Sequence, residues 1–235
     1  DTVQTVASVQ RVLDPRRGWQ RSFGVRLFDE RFQRDSGIKG AERILAPYAS
    51  FNRVQSQGGI DPSSGNRVFF QTEAASQALV STSDFVSLRA GYRWLNTYKD
   101  SHMLLLRGDA GAILSPDFAR VPPSLRFYAG GDNSVRGFDY RSLSPRNTLN
   151  ETIGGQYLLA ASVEYNWRWR PTWRPAVFMD VGNAFTNASD ASLAAGLGVG
   201  IRWISPVGPI RVDLASAVSE PGKPLRLHLT IGSPL

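Results

Sequence analysis

Polarity alternates with a period of two along most of this chain, in segments of about ten to fourteen residues separated by turn-forming residues. Successive side chains of a strand point to opposite faces, so each such segment reads as a strand with one apolar and one polar face. Leu225, Leu227, Leu229 and Ile231 oppose Arg226, His228, Thr230 and Gly232. Leu193, Ala195, Leu197, Val199, Ile201 and Trp203 oppose Ala194, Gly196, Gly198, Gly200 and Arg202. Tyr157 through Trp169 and Val86 through Trp94 repeat the pattern, and Ile210, Val212 and Leu214 flank Arg211 and Asp213. No apolar run reaches the roughly 18 residues that a spanning helix needs, whereas a barrel strand crosses a bilayer with about 9–11 alternating residues.

The polar faces decide between a soluble sandwich and a membrane barrel. They carry Arg, Glu, Asn, Asp and Gly, which a dry core cannot hold unpaired but a wet lumen can. Aromatic residues gather at segment ends (Trp94, Trp167, Trp169, Trp203), where a bilayer places its interfacial girdle. The pattern predicts an all-β, antiparallel transmembrane β-barrel with strands at 2–13, 19–32, 42–55, 66–80, 84–97, 101–114, 155–170, 173–186, 191–204, 208–218 and 224–233. Short links are expected at Asp14–Gly18, Asn96–Asp100, Pro171-Thr172 and Ser205–Gly208. Residues 115–154 break the alternation and are rich in Gly, Pro, Asn and Ser, which is the mark of a functional long loop.

Composition removes several classes of function. Cysteine is absent and only His102 and His228 are histidine, so disulfides, thiol nucleophiles and a zinc or haem site are not supplied; no metal site and no cofactor are expected. Neither histidine has an evident nucleophile partner, so no catalytic residues are assigned and an enzyme is not expected. The net charge is +7, yet only three of the 27 basic residues are lysine (Lys39, Lys99, Lys223) and none of the arginines forms a run longer than Arg16-Arg17. That scatter argues against nucleic acid and for pairing with carboxylates or with anionic lipid. Asn150-Glu151-Thr152 and Asn187-Ala188-Ser189 match glycosylation triplets and are read as ordinary loop chemistry. The chain opens on Asp1-Thr2-Val3, already strand-like, and any signal peptide is expected to have been removed.

Within the long loop lies Gly130-Gly131-Asp132-Asn133-Ser134-Val135-Arg136-Gly137-Phe138, followed by five strands. This motif resembles the sixth extracellular loop of the BamA/TamA superfamily of outer-membrane assembly barrels. Ser162-Val163-Glu164-Tyr165, Phe178-Met179-Asp180-Val181-Gly182 and Gly198 through Ile210 strengthen the resemblance, the last looking most like the TamA branch. Independently, alternation puts Glu164 and Asp180 on the polar faces of two strands joined at Pro171-Thr172. Two such inward carboxylates need a cation.

The resemblance implies that the loop-lock motif Val135, Arg136, Gly137 and Phe138 packs on the inner wall, with Arg136 facing Glu164 and Asp180. Gly130 and Gly131, with Gly137, would provide the turns and close approach. It further implies a weak seam at the last strand (Leu225, Leu227, Leu229, Ile231, Gly232), where Gly232 and Pro234 shorten ladder pairing. A barrel of sixteen strands is implied, of which this chain would supply the last eleven, without the preceding strands and periplasmic domains. The function implied is insertion or secretion of β-barrel or autotransporter-type client outer-membrane proteins without ATP, with outer-membrane lipid and a TamB-like inner-membrane-anchored partner. The alternatives are a two-partner secretion transporter for a single exoprotein and a passive anion-preferring channel.

Overall fold

The structure is a computed structural model and describes residues 2–33, 39–187, 189, 191–206 and 208–235. Ala188 of the second glycosylation triplet, Val207 of the last short link and Asp1 at the start lie outside the described residues. The strands are β1 (Thr2–Arg16), β2 (Trp19–Gln33), β3 (Lys39–Gln57), β4 (Ser64–Ala75), β5 (Phe85–Tyr98), β6 (His102–Leu114), β7 (Tyr157–Trp167), β8 (Trp173–Phe185), β9 (Ala194–Ser205), β10 (Gly208–Ala217) and β11 (Leu225–Ile231). They form an 11-stranded sheet in which each strand neighbours the next in sequence, the antiparallel meander of outer-membrane barrels. Among the described residues no helix longer than one 3₁₀ turn occurs.

Several boundaries differ from those the sequence predicts, each for a local reason. The segment expected to run to residue 80 leaves the sheet at Ala75, because Ser76 caps a 3₁₀ turn at Gln77–Leu79 and also bonds Asp84. The link at 14–18 shrinks to the pair Arg17-Gly18, both at positive φ (52° and 79°), as a two-residue hairpin turn demands. The stretch Arg168–Arg170 falls outside β7, and β11 ends at Ile231 rather than 233, although Gly232 still donates a backbone bond to Pro209.

The chain divides into two compact units, and β3 to β6 contribute residues to both. One comprises residues up to Arg53 with Phe69–Ala90 and Gly111–Arg126. Its buried face holds Phe28, Ile44, Ala46, Phe85, Ile113 and Val121, and the buried Glu30 carboxylate accepts from the Ser124 hydroxyl. The other comprises Val54–Val68, Gly91–Ala110 and Phe127–Leu235. In it the long loop does not stand free: Phe127 pairs with Gly155, Ala129 with Leu143, and Val135 and Phe138 pack with Ala217 in a small core.

The opposite strand face is apolar and open. Val163, Val177, Met179, Leu197, Val199 and Leu214 all lie on it exposed, as lipid-facing barrel positions do. All six tryptophans sit at, or within four residues of, the strand ends joined by the shorter turns, or in those turns. Val199 lies midway along β9 and is 56% exposed, so it marks the level of the hydrocarbon core. Val199→Arg is expected to lower unfolding free energy in phospholipid vesicles by about 2–4 kcal/mol, read from urea titrations, because a charge there meets lipid.

Candidate functional site

The site is built where the loop tip meets five consecutive strands of one unit. Inward positions of four of them carry one ionised side chain each: Glu164 on β7, Asp180 on β8, Arg202 on β9 and Asp213 on β10. All four are at least 97% buried, and Asp180 is completely so. Into this wall the loop delivers Arg136, itself 5% exposed.

Every guanidinium N–H of Arg136 finds an acceptor. Nε donates to Asp180 Oδ2 at 2.8 Å, and Nη2 donates to Asp180 Oδ1 at 3.0 Å and to the Ser162 hydroxyl at 3.4 Å. Nη1 donates to Glu164 Oε2 at 2.8 Å and to Asp213 Oδ2 at 2.9 Å. The backbone N–H of Arg136 adds a bond to Asp180 Oδ2 at 3.0 Å, and the Phe178 ring lies under the guanidinium, 3.4 Å from its central carbon. Arg202 closes the arrangement by pairing with both Glu164, at 2.9 Å, and Asp213. Arg136, Glu164, Arg202 and Asp213 thus form a closed ring of alternating charge, while Asp180 pairs with the loop arginine and also accepts from the Ser162 hydroxyl at 2.6 Å.

Burial by itself pulls the Arg136 pKa down, but the hydrogen bond to Asp180 and the charges of Asp180, Glu164 and Asp213 outweigh it and raise the pKa above the ordinary arginine value. The arginine is therefore charged at every accessible pH. A lysine could not replace it, since an ammonium has three donors and no planar face for Phe178.

The last strand and β6 hold the residues on either side. The Gly137 N–H donates to His228 Nε2 at 2.9 Å, which leaves the imidazole proton on Nδ1, facing Asp132 Oδ1 at 2.5 Å. Arg226 donates to the Gly137 carbonyl at 2.6 Å and grips the Asp139 carboxylate with two bonds of 2.7 Å. That hydrogen bond holds the exposed Asp139 carboxyl below the usual carboxylate range. Arg107 of β6 donates to the Ser134 carbonyl. Gly137 has φ of +95°, and a Cβ there would press against the β10 backbone at Ser216 and Ala217.

The wall makes room for the loop with glycine. A Cβ on Gly196 would overlap the Arg136 carbonyl oxygen, one on Gly198 the Phe178 ring, and one on Gly200 the Asp213 carboxylate. These three alternate along β9 on its inner face.

The structure brings Val135, Arg136, Gly137, Phe138, Glu164 and Asp180 into one cluster, with Gly130 and Gly131 at positive φ just ahead of it. Leu225, Leu227, Leu229 and Ile231 are not part of it: they face outward, 59–73% exposed, while the inward Arg226 and His228 of the same strand hold the loop. Sequence reading did not single out Asp213, Arg202, Arg226 or the β9 glycines. Their signal was present, as ionised or side-chain-free residues on polar strand faces, but nothing local says which of these meet.

Two outcomes follow. Arg136→Ala strips the ring of one cation, leaving Glu164 and Asp213 to share Arg202 and the buried Asp180 carboxylate with no cation beside it, which is expected to cost about 3–5 kcal/mol and to expose residues 126–140 to limited proteolysis. Gly196→Ala adds one methyl to the wall and removes no charge, yet is expected to loosen the same loop at a cost of about 1–3 kcal/mol, read from the same cleavage pattern.

Comparison with known proteins agrees with this architecture. The chain is 30% identical over 144 residues to the outer membrane protein assembly factor BamA of Nitratidesulfovibrio vulgaris, covering 58% of this chain and 18% of that protein. It is 28% identical over 152 residues to the BamA of Neorickettsia risticii, covering 58% of this chain and 20% of that one. The chain thus spans about a fifth of the length of these relatives. Among solved structures, BamA from Haemophilus ducreyi lacking POTRA domains 1–3 superposes with a TM-score of 0.80 at 15% identity, over 99% of this chain and 54% of that one. CdiB from Acinetobacter baumannii gives a TM-score of 0.62 at 16% identity, over 98% and 42%. The model of the Omp85 superfamily domain matches residues 39–233. With its antiparallel sheet and lipid-directed outer face, the chain belongs to the Omp85 superfamily of bacterial outer-membrane β-barrel proteins.

Proposed function

We propose that this chain is the barrel portion of an outer-membrane assembly factor, one that inserts or secretes β-rich client proteins without nucleotide hydrolysis. The observation that carries the reading is the Arg136 cluster, which joins a loop to four consecutive strands through buried charges. A barrel that served only as a hole would not need a loop held by so many costly contacts. In this reading Val135, Arg136, Gly137 and Phe138 are the lock, Glu164 and Asp180 its wall partners, and Gly130 and Gly131 the turn that aims it. The relatives named assembly factors support the same class of activity.

Clients would engage at the last strand. Among the described residues β11 is seven residues long and pairs only with β10, so its other edge has backbone groups available to an incoming strand. Edge pairing through main-chain hydrogen bonds suits clients of varied sequence. The finer assignment is to the TamA branch, with a TamB-like partner anchored in the inner membrane. It rests on the stretch from Gly198 to Ile210. The likeness to CdiB supports a second reading, a transporter dedicated to one exoprotein.

Depleting the full-length protein from its host separates these readings. For an assembly factor, the folded levels of several outer-membrane barrels fall together, and wild type restores them where Arg136→Ala does not. Loss of a single secreted protein, with all barrels unchanged, would overturn the assembly reading in favour of the dedicated transporter.

A further inference from the structure

A second cluster of arginines lies far from the loop site in sequence, on the outer strand face. β1 and β2 meet at the Arg17-Gly18 turn, and register places Arg16 opposite Trp19, Trp19 opposite Arg53, and Arg21 opposite Phe51. Arg21 shares its strand face with the exposed lipid-facing residues Phe23, Val25 and Leu27. Together with Phe70, the residues Arg16, Arg17, Trp19, Arg21, Phe51 and Arg53 line an open concavity of about 740 Å³. Its floor is aromatic: Phe51 sits edge-on to Phe23 at 5.8 Å and tilted against Phe70 at 6.4 Å. The guanidinium of Arg53 lies over the Trp19 ring at 5.9 Å.

The four arginines are not spent on one another's neighbours. Among the described residues none of them pairs with a carboxylate, and the Nε atoms of Arg21 and Arg53 are shielded from solvent with no hydrogen-bond partner. Shielded donors on an exposed, apolar strand face are costly unless a ligand supplies acceptors. The depth of the site indicates which ligand. Trp19 belongs to the belt of six tryptophans at the short-turn strand ends, and such belts lie at headgroup level. Arginine forks match phosphate oxygens, while the phenylalanines continue the site toward the hydrocarbon.

We infer that Arg16, Arg17, Arg21 and Arg53, with Trp19, Phe51 and Phe70, form a binding site for the phosphate group and upper acyl chains of an anionic glycerophospholipid. The site is independent of the client-handling reading and requires only that the chain sit in a membrane. It gives this sector of the barrel a fixed lipid neighbour at the rim.

The test is native mass spectrometry of the full chain, folded in detergent micelles with phosphatidylglycerol as the probe. Wild type is expected to retain bound phosphatidylglycerol, as is Lys223→Gln, a charge removed at the opposite strand ends. The pair Arg21→Gln with Arg53→Gln should weaken retention by at least about tenfold, since it removes two charge-assisted contacts. Arg21→Lys with Arg53→Lys keeps the charge without the fork and should weaken it less, which provides a second reading if the glutamine pair does not fold. Retention equal to wild type in either folded pair would overturn the site. So would displacement of the lipid by equimolar inorganic phosphate, which would show a free-anion site without a role for the aromatic floor.

Discussion

A guanidinium removed from water must satisfy five donors and one charge at once, and Arg136 does so only because three strands, β7, β8 and β10, bring their acceptors to a single point. Three carboxylates and a hydroxyl receive its N–H groups, and a second arginine from the wall balances two of those carboxylates. Each member is unaffordable alone, since an isolated buried charge costs several kcal/mol. The ring, with Asp180 attached to it through Arg136, therefore binds β7, β8, β9 and β10 to one relative register as well as binding the loop to the wall. A slip of one residue in any of them would turn its charged side chain from the inner face to the lipid.

The same cluster explains why β9 is thin on its inner side. Three glycines at alternate positions leave space for the Arg136 carbonyl, the Phe178 ring and the Asp213 carboxylate. Glycine costs strand stability and offers no side chain to pack. It is tolerated here because the loop itself fills the gap and completes the inner face. Loop and wall are thus complementary parts of one packing unit, with Val135, Phe138 and Ala217 as its apolar portion.

Much of this was legible in the residues. Alternation located the eleven strands found among the described residues and separated inner from outer faces in β5 and β7 to β11, whereas in β1 to β3 both faces are mixed; the Val-Arg-Gly-Phe motif with Glu164 and Asp180 pointed to the loop and to two residues of the wall. Strand ends were less legible: Ser76 ends β4 through a cap whose partner, Asp84, lies eight residues on. Asp213 and Arg202 were equally invisible as partners, because an inward Asp or Arg on a barrel strand is ordinary and only proximity distinguishes these two. His228 was placed on the inner face, yet its bond to Gly137 spans 91 residues and follows from no local pattern.

The sequence by itself determined the fold class, the lipid-facing side of the regularly alternating strands, and the chemical type of the site, since period-two polarity and the absence of a spanning apolar run leave little else for the chain to become. Only the tertiary structure decided which charges pair. Pairing depends on strand register and on the path of a loop of about forty residues between β6 and β7, and both are set by packing among residues far apart in the chain. The arginines around Trp19 show the same division. Their spacing reads as an unremarkable turn and strand, and they become a site only where antiparallel pairing sets Arg53 and Phe51 beside Trp19 and Arg21.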